Sequence, residues 1–445
     1  MFVRHTFVVV ALTFFVSAAK ASEYQVSENL AAGSAEELFL GLDGIDKEKE
    51  RRPSRQILED LWEQAPPFWR DSALDLRVRA FDFQRDDGSM TIADAFAIGS
   101  ELTFASGKWR EKWSLVGSWH TSSAIDAPED LGRTGILAPD QSNLSVISRA
   151  YLQYDLPRKI SARFYRQDFN LPYINRQDSR MIPNTHEAYV AQRVDDRFEF
   201  VIGNITKMKK RDSEDFVPMG EVAGIPGDKS GTFVVGARVN VTSNINIATL
   251  LQQTNDLFTT LYSETSYKRT FTDKWGMQLA GQATNQRSNG GELLGEFDTY
   301  SWGLRGALSY RGAVLTLAHT STGRNSAIRK PFGGTPGFTS SMLFDFDRAG
   351  EKALRIGLSQ NFEKYNMPGV SLIVNYTEGR DAIASDGTPF PNAREVAITA
   401  DFRPQETWLK GLWLRVRYAE GDRGSDVDDR RDLRIILNYN LSALR

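Results

Sequence analysis

Short runs of alternating apolar and polar residues recur from about residue 73 to the end of the chain, and turn-forming residues separate them. In the clearest run, residues 73–80, leucine, valine and alanine alternate with aspartate and arginine. Successive side chains of a β-strand point to opposite faces, so this run predicts a strand with one apolar and one mostly charged face. The alternation predicts eighteen strands, near residues 72–84, 93–105, 112–122, 144–156, 160–170, 185–194, 198–210, 231–242, 245–255, 258–270, 274–286, 298–311, 313–322, 349–363, 369–380, 393–404, 411–421 and 431–441.

These strands are predicted to close into a barrel that spans a membrane. After residue 21 the chain contains no run of 18 or more apolar residues, so no transmembrane helix is expected. A closed barrel is the other architecture that satisfies every backbone polar group in lipid. The predicted connections mostly alternate between short turns and long loops, which is typical of outer-membrane barrels. The predicted fold class is therefore all-β, a transmembrane antiparallel β-barrel of about 18 strands.

The first 21 residues have the features of a signal peptide. Arg4 and His5 precede an apolar stretch, residues 6–19, and Ala19-Lys20-Ala21 gives a small-x-small cleavage site. The apolar stretch is too short to cross a bilayer of about 30 Å as a helix. We expect residues 1–21 to direct export, with a retained N-terminal anchor as the alternative.

Residues 22–71 differ in composition from the strand region and are expected to form a periplasmic N-terminal extension. Residues 46–52 are a dense run of mixed charge, which is most simply a solvated surface. Residues 54–64 place apolar side chains at helical spacing, so the alternative is a helix that docks on, or plugs, the barrel mouth. The barrel itself is expected to occupy residues 72–445.

The residue types that enzymes use are sparse or scattered. The chain has no cysteine, which excludes thiolate chemistry and disulfides, and it has no Gly-x-Ser-x-Gly, phosphate-loop or His-Glu-x-x-His motif. Three histidines beyond the predicted signal peptide, at positions 120, 186 and 319, are far apart in sequence. A net charge of −3 gives no reason to expect nucleic acid as a partner. We therefore expect no enzyme activity, no cofactor and no metal site.

Arginines on the polar faces of predicted strands are the candidate functional residues. In residues 412–418, Arg415 and Arg417 share the face opposite two leucines, a valine and a tyrosine. An arginine facing lipid near the bilayer midplane costs about 2–4 kcal/mol, so we expect such arginines to face the lumen. The candidate set is Arg77, Arg79, Arg355, Arg415, Arg417 and Arg434.

Barrel closure brings most of these arginines onto one wall. The last strand should pair with the first, which makes the strands near 411–421, 431–441 and 72–84 neighbours. Arginine is always charged and can hold a carboxylate through two N–H groups, so such a wall would guide anionic solutes or the carboxylate ends of zwitterions. The alternative is that these arginines only line the lumen and pair with Asp75, Glu395 and Asp432.

A series of short motifs resembles the OprD family of outer-membrane porins. The similarity covers about residues 70–441, and it is the order of the motifs that is fairly specific. The motifs are Arg149–Asp155, Gln167, Leu171-Pro172, Asp178-Ser179-Arg180, Pro183, Lys209–Phe216, Phe344–Asp347, Gly350-Glu351, Met367–Val370, Asn375-Tyr376 and Lys410–Arg417. Two features depart from the family pattern: the long segment before residue 71, and an end at Leu441–Arg445 where a terminal aromatic residue is usual.

The resemblance implies an 18-stranded porin in which each chain forms its own monomeric pore. This pore is narrow and substrate-selective, with a basic ladder on one wall and long loops that fold inward, residues 171–184 and 323–348 being the constricting loops. It also implies passage of small carboxylate-bearing solutes such as amino acids, peptides or aromatic acids. We therefore expect a passive, substrate-selective channel in the outer membrane of a Gram-negative bacterium, in contact with lipid and small solutes. The alternatives are a general or sugar-preferring porin and, from another class, a hydrolase built on a barrel; assembly as a monomer or a trimer stays open.

Overall fold

The computed structural model of the chain describes residues 65–404, 409–424 and 429–444. The predicted signal peptide, residues 1–21, lies outside the described residues, as does nearly all of the predicted extension, residues 22–71. The described part of that extension begins at residue 65 and contains a one-turn helix, Pro67–Arg70. No helix among the described residues is long and apolar enough to cross a membrane.

Eighteen long strands form one closed antiparallel barrel, as the alternation predicts. Each strand pairs with its neighbours in the chain, and the first strand also pairs with the last, with Arg79 opposite Asn438. The strands are β1 Ala73–Asp86, β2 Thr91–Ala105, β3 Trp113–Asp126, β4 Leu144–Leu156, β5 Ile160–Gln167, β6 Thr185–Arg193, β7 Phe198–Lys209, β8 Thr232–Asn240, β9 Ile245–Thr254, β10 Phe258–Thr270, β11 Trp275–Ser288, β12 Asp298–Tyr310, β13 Ala313–Thr322, β14 Lys352–Asn361, β15 Val370–Arg380, β16 Ala393–Phe402, β17 Leu412–Asp422 and β18 Arg430–Leu444.

The remaining described elements are short and lie in the connections. A second one-turn helix covers Met219–Val222, and 3₁₀ turns cover Glu129–Leu131 and Glu363–Tyr365. The two-residue strand Val217–Pro218 pairs with the C-terminal end of β7, at Met208 and Lys207. Because these elements are short, the strands of the barrel wall are the framework that positions the lumenal side chains.

The outer surface of the barrel is apolar because the alternation keeps the same phase along most of each strand. In β14, for example, Leu354, Ile356 and Leu358 are each about half exposed on the outside, while Ala353 and Ser359 are buried inside. Small and polar residues thus point inward and branched apolar residues point outward, which is the arrangement of a barrel with a wet interior.

Two long connections fold into the lumen and create a buried core there. The first inward loop, residues 168–184, connects β5 to β6 and contains a small hairpin, Asn170–Leu171 paired with Ile174–Asn175. The second inward loop, residues 323–351, connects β13 to β14. Both loops bury apolar side chains inside the barrel, including Ile174 and Phe332. The inward folding of the two loops, 171–184 and 323–348, agrees with the expectation from the family resemblance.

Candidate functional site

The first inward loop crosses the lumen between two distant parts of the wall. At the hairpin tip, Gln252 of β9 donates a hydrogen bond to the Pro172 carbonyl. The adjacent Tyr173 hydroxyl lies 2.8 Å from Thr284 Oγ1 of β11. At its other end, Asp178 Oδ1 accepts a hydrogen bond of 2.9 Å from Arg79 of β1. The loop therefore spans from β1 to β11 and narrows the passage between these walls.

The second inward loop is held against strands β11 to β16 by hydrogen bonds between its backbone and side chains of the wall. Glu395 of β16, which is 1% exposed, accepts N–H groups from residues 342, 343 and 344 at 2.7 to 3.1 Å. Arg355 of β14 donates to the Ser340 carbonyl at 2.7 Å. Gln286 exchanges two hydrogen bonds of 2.8 Å with the backbone of Arg329. These anchors fix the loop along β11 to β16.

Five of the six predicted arginines lie on three adjacent strands, as closure requires. Arg77 and Arg79 are on β1, Arg434 is on β18, and Arg415 and Arg417 are on β17, where Arg417 stands directly opposite Arg434. Arg355, on β14, is separated from them by two intervening strands. The wall is thus basic over β17, β18 and β1, with Arg355 beyond β15 and β16.

Four of these arginines have a carboxylate partner. Arg77 Nη1 lies 3.1 Å from Glu101 and 3.5 Å from Asp178, and Arg79 shares Asp178. Two further ion pairs are formed within the wall itself. Arg415 binds Asp401 through two hydrogen bonds of 2.8 and 2.9 Å, and Arg434 binds Asp432 at 2.6 Å.

The expected acidic partners behave differently from one another. Asp432 does pair with Arg434, and it also holds Arg85 through two hydrogen bonds of 2.6 and 2.8 Å. Asp75, by contrast, accepts a hydrogen bond of 2.6 Å from Ser442. Glu395 serves as an anchor for the second inward loop. The acids that neutralise the wall are therefore Asp432, as expected, together with Asp178, Glu101 and Asp401, which were not among the expected partners.

Two of the predicted arginines have no carboxylate within ion-pair distance among the described residues. Arg417 Nε donates to Thr399 Oγ1 at 3.3 Å. Arg355 donates to Asn375 Oδ1 at 3.3 Å in addition to its bond to Ser340. Both side chains are only partly buried. Arg417 and Arg355 are therefore the wall arginines whose charge is least compensated.

Asp178 of the first inward loop is a functional candidate that strand alternation could not reveal. Three arginines surround its carboxylate: Arg79, Arg77 and, at 3.2 Å, Arg176. Burial alone would raise the pKa of Asp178, but the three guanidinium groups hold that pKa well below its usual range. The only signal in the sequence was the Asp178-Ser179-Arg180 motif within the family resemblance.

An acidic cluster in the second inward loop lies away from the basic wall. Lys330 Nζ lies 2.7 Å from Asp345 and also contacts Asp347. Burial raises the pKa of Asp347 to about 6, against the lowering effect of Lys330. Burial would lower the pKa of Lys330, but the two carboxylates raise it. One cation thus serves two carboxylates, and Asp345 remains 41% exposed to the lumen.

A Ser-His-Glu arrangement lies inside the wall, although its members are far apart in sequence. Ser148 Oγ lies 2.6 Å from His120 Nδ1, and His120 Nε2 lies 3.5 Å from Glu101. Ser148 is fully buried and Glu101 is also held by Arg149 at 2.6 Å, so no substrate reaches the hydroxyl. The arrangement is a hydrogen-bonded part of the wall. Among the described residues, no group of three histidine or acidic side chains is placed to hold a metal ion.

Comparisons with known proteins agree with this geometry. The model of the outer-membrane porin family OprD matches residues 163–443. Porin D of Pseudomonas aeruginosa is 23% identical over an alignment of 434 residues. The alignment covers 86% of this chain and 93% of that protein.

Solved structures share the fold at low sequence identity. OpdK of Pseudomonas aeruginosa, solved with vanillate, superposes with a TM-score of 0.76 at 18% identity, covering 84% of this chain and 100% of that chain. OccAB2 of Acinetobacter baumannii gives 0.77 at 19% identity, with 85% and 100% covered. A BenF-like porin of Pseudomonas fluorescens gives 0.76 at 18% identity, with 84% and 99% covered.

Proposed function

The chain belongs to the OprD family of outer-membrane porins, and on that premise we propose that it passes small carboxylate-bearing solutes, such as amino acids, peptides or aromatic acids. It is a Gram-negative outer-membrane channel rather than an enzyme. The lumenal arginines guide these solutes along one wall of the pore.

The observation that carries the proposal is the uncompensated charge of Arg417 and Arg355 on an arginine-rich wall. Among the described residues, Arg417 uses only Nε, for a long hydrogen bond to a hydroxyl, so its two terminal nitrogens are available to a carboxylate. Neighbouring Arg415 and Arg434 are already occupied by Asp401 and Asp432. A solute would therefore meet a few modest sites rather than one tight site, which suits conduction because release must be fast.

The nature of a relative's solute also supports the carboxylate class. OpdK was solved with vanillate, which is a small aromatic carboxylate. In the present chain the constriction lies beside the arginine-rich wall, because the first inward loop is bonded directly to Arg79. A solute passing the loop is therefore brought close to guanidinium groups.

The proposal is tested by single-channel recording in planar bilayers under a salt gradient. We expect a reversal potential that indicates anion preference, and short current interruptions when benzoate is added. Benzamide, which has nearly the same size and no charge, should cause fewer interruptions. Cation preference, or equal interruption by the two solutes, would contradict the proposal.

A general or sugar-preferring porin is the second candidate, and the ion pairing of the wall favours it. Four of the six predicted arginines have carboxylate partners, which weakens the field that an anion would meet. Swelling of proteoliposomes in a neutral monosaccharide separates the two candidates. Faster entry of the sugar than of a carboxylate of similar size would favour the second.

A further inference from the structure

The two inward loops pack against each other through buried apolar side chains, with Tyr173 beside Ile328 and with Ile174 and Phe332 in one cluster. The side chain of Asn175, which is 2% exposed, adds hydrogen bonds across this contact. Its Nδ2 donates to the Gly334 carbonyl at 2.8 Å, and its Oδ1 accepts the Gly334 N–H at 2.9 Å. The Asn175 backbone N–H adds a longer bond of 3.4 Å to the Phe332 carbonyl. One amide group therefore satisfies both polar groups of Gly334, in a loop 159 residues further along the chain.

The loop segment that Asn175 holds is short, rich in glycine and anchored at both ends. Phe332 stacks on Phe258 of β10, with 6.0 Å between ring centroids. The guanidinium of Arg305 lies over the ring of Phe338, with 4.5 Å between Arg305 Cζ and the ring centroid. Between these anchors run Gly333, Gly334, Thr335, Pro336 and Gly337. Glycine loses more conformational freedom on ordering than other residues, so this segment depends on contacts to stay in place.

Gly333 fits closely against Asn175. A Cβ added at Gly333 would lie 2.7 Å from Asn175 Oδ1 and 2.8 Å from its backbone nitrogen. Gly333 also has a backbone φ of +157°, which residues other than glycine rarely adopt. Any other residue at position 333 would therefore push Asn175 away from Gly334, even though Asn175 itself was unchanged.

We propose that Asn175 is a latch that joins the two inward loops and thereby fixes the width of the constriction. The side chain is a positioning residue: it acts on the pore through the segment 333–337. When the latch opens, this segment moves away from the hairpin of the first loop and the passage widens. The inference rests on the proposed function, because it concerns regulation of the same channel.

The expected effect follows from the number of hydrogen bonds that the latch makes. Losing the two bonds to Gly334 should raise the fraction of time that the loops are apart by about thirty-fold, which corresponds to about 2 kcal/mol. In single-channel records this appears as brief excursions to a higher conductance. During each excursion, selectivity between ions should fall because the arginine wall then lies farther from the ions.

The test compares four variants of the full chain in planar bilayers. Asn175→Ala should raise the frequency of excursions about thirty-fold over that of the unaltered protein. Asn175→Asp keeps the volume but turns an oxygen toward the Gly334 carbonyl, so it should behave like Asn175→Ala. Gly333→Ala should open the latch from the other loop. Asn325→Ala, which removes an exposed amide of the same loop, should stay within about twofold of the unaltered protein.

Barrel folding is checked by thermal melting of each variant, which should be unchanged because the wall does not depend on the latch. Excursions at the unaltered frequency in Asn175→Ala and Gly333→Ala would overturn the latch. Normal behaviour of Asn175→Asp would do the same, since it would mean that volume rather than hydrogen bonding holds the loops. Failure of the latch leaves the mean anion preference in place, whereas failure of the proposed function removes that preference from the unaltered protein.

Discussion

Replacing Arg417, an arginine without a carboxylate partner among the described residues, should change ion selectivity more than removing the neighbouring pair of Arg415 and Asp401. Arg417 and Arg415 are two residues apart on β17, and within the described part of the chain only Arg415 is bound by a carboxylate, that of Asp401. Arg417→Gln removes one uncompensated positive charge. Arg415→Gln combined with Asp401→Asn removes two charges that compensate each other. The two variants therefore separate charge that acts on the pore from charge that is neutralised within the wall.

The magnitude follows from Coulomb's law in the wet lumen. A unit charge about 6 Å from a permeating ion contributes about 0.7 kcal/mol in water, and screening at about 0.1 M salt reduces this to about 0.4 kcal/mol. An anion is stabilised and a cation is destabilised by this amount, so the difference is about 0.8 kcal/mol. Arg417→Gln should then lower the anion-to-cation permeability ratio about fourfold.

The assay is the reversal potential of single channels under a salt gradient. We expect the fourfold decrease for Arg417→Gln and a ratio close to that of the unaltered protein for the double variant. Raising the salt concentration should shrink the effect of Arg417→Gln, since screening strengthens. Equal decreases in both variants would mean that Asp401 does not neutralise Arg415, contrary to this prediction. An unchanged permeability ratio in both variants would mean that these arginines line the lumen without contributing to ion selectivity.

Three further predictions concern buried carboxylates. Asp432→Asn leaves Arg85 and Arg434 without their shared partner and should destabilise the barrel by about 3 kcal/mol, measured by denaturant unfolding in detergent; an unchanged midpoint would contradict this. Glu395→Gln loses an acceptor for the N–H groups of residues 342–344, so their hydrogen exchange should accelerate about tenfold or more, while exchange in β1 stays unchanged. Because burial raises the pKa of Asp347 to about 6, the folded protein takes up a proton near pH 6 that the unfolded chain takes up only near pH 4. Folded-state stability and anion preference should therefore both rise as the pH falls through 6, and Asp347→Asn should abolish the change in preference.

Strand alternation was sufficient to predict the barrel because one face of most strands meets a uniform apolar surrounding. Alternation no longer tells which face is the outer one where inward-folded loops cover the lumenal face with apolar side chains. In β1, alanine and leucine point outward at first, but Phe81 and Phe83 point inward and are fully buried against the first inward loop and the β3–β4 connection. The phase of the apolar residues thus reverses near Ala80. The lumenal core depends on where the loops fold, and alternation within a strand carries no information about that.

The candidate site was predicted only in part, for the same physical reason. Closure correctly placed Arg79 and Arg434 on adjacent strands, because barrel topology alone decides this. The partners of the arginines depend on long-range contacts: Asp178 reaches Arg79 across 99 positions in the chain, and Asp401 is on the strand next to Arg415 at a register that only the structure reveals. The guiding role of the six arginines therefore stays a proposal, and charge compensation distinguishes Arg417 and Arg355 from the rest.

The central claim is that the pore favours carboxylates over neutral molecules of equal size. The most direct measurement is the entry rate of benzoate and of benzamide into proteoliposomes that contain the unaltered protein, with protein-free liposomes as the blank. Benzoate should enter faster than benzamide through the protein, and Arg417→Gln should reduce this advantage. Equal rates, or faster entry of benzamide, would contradict it.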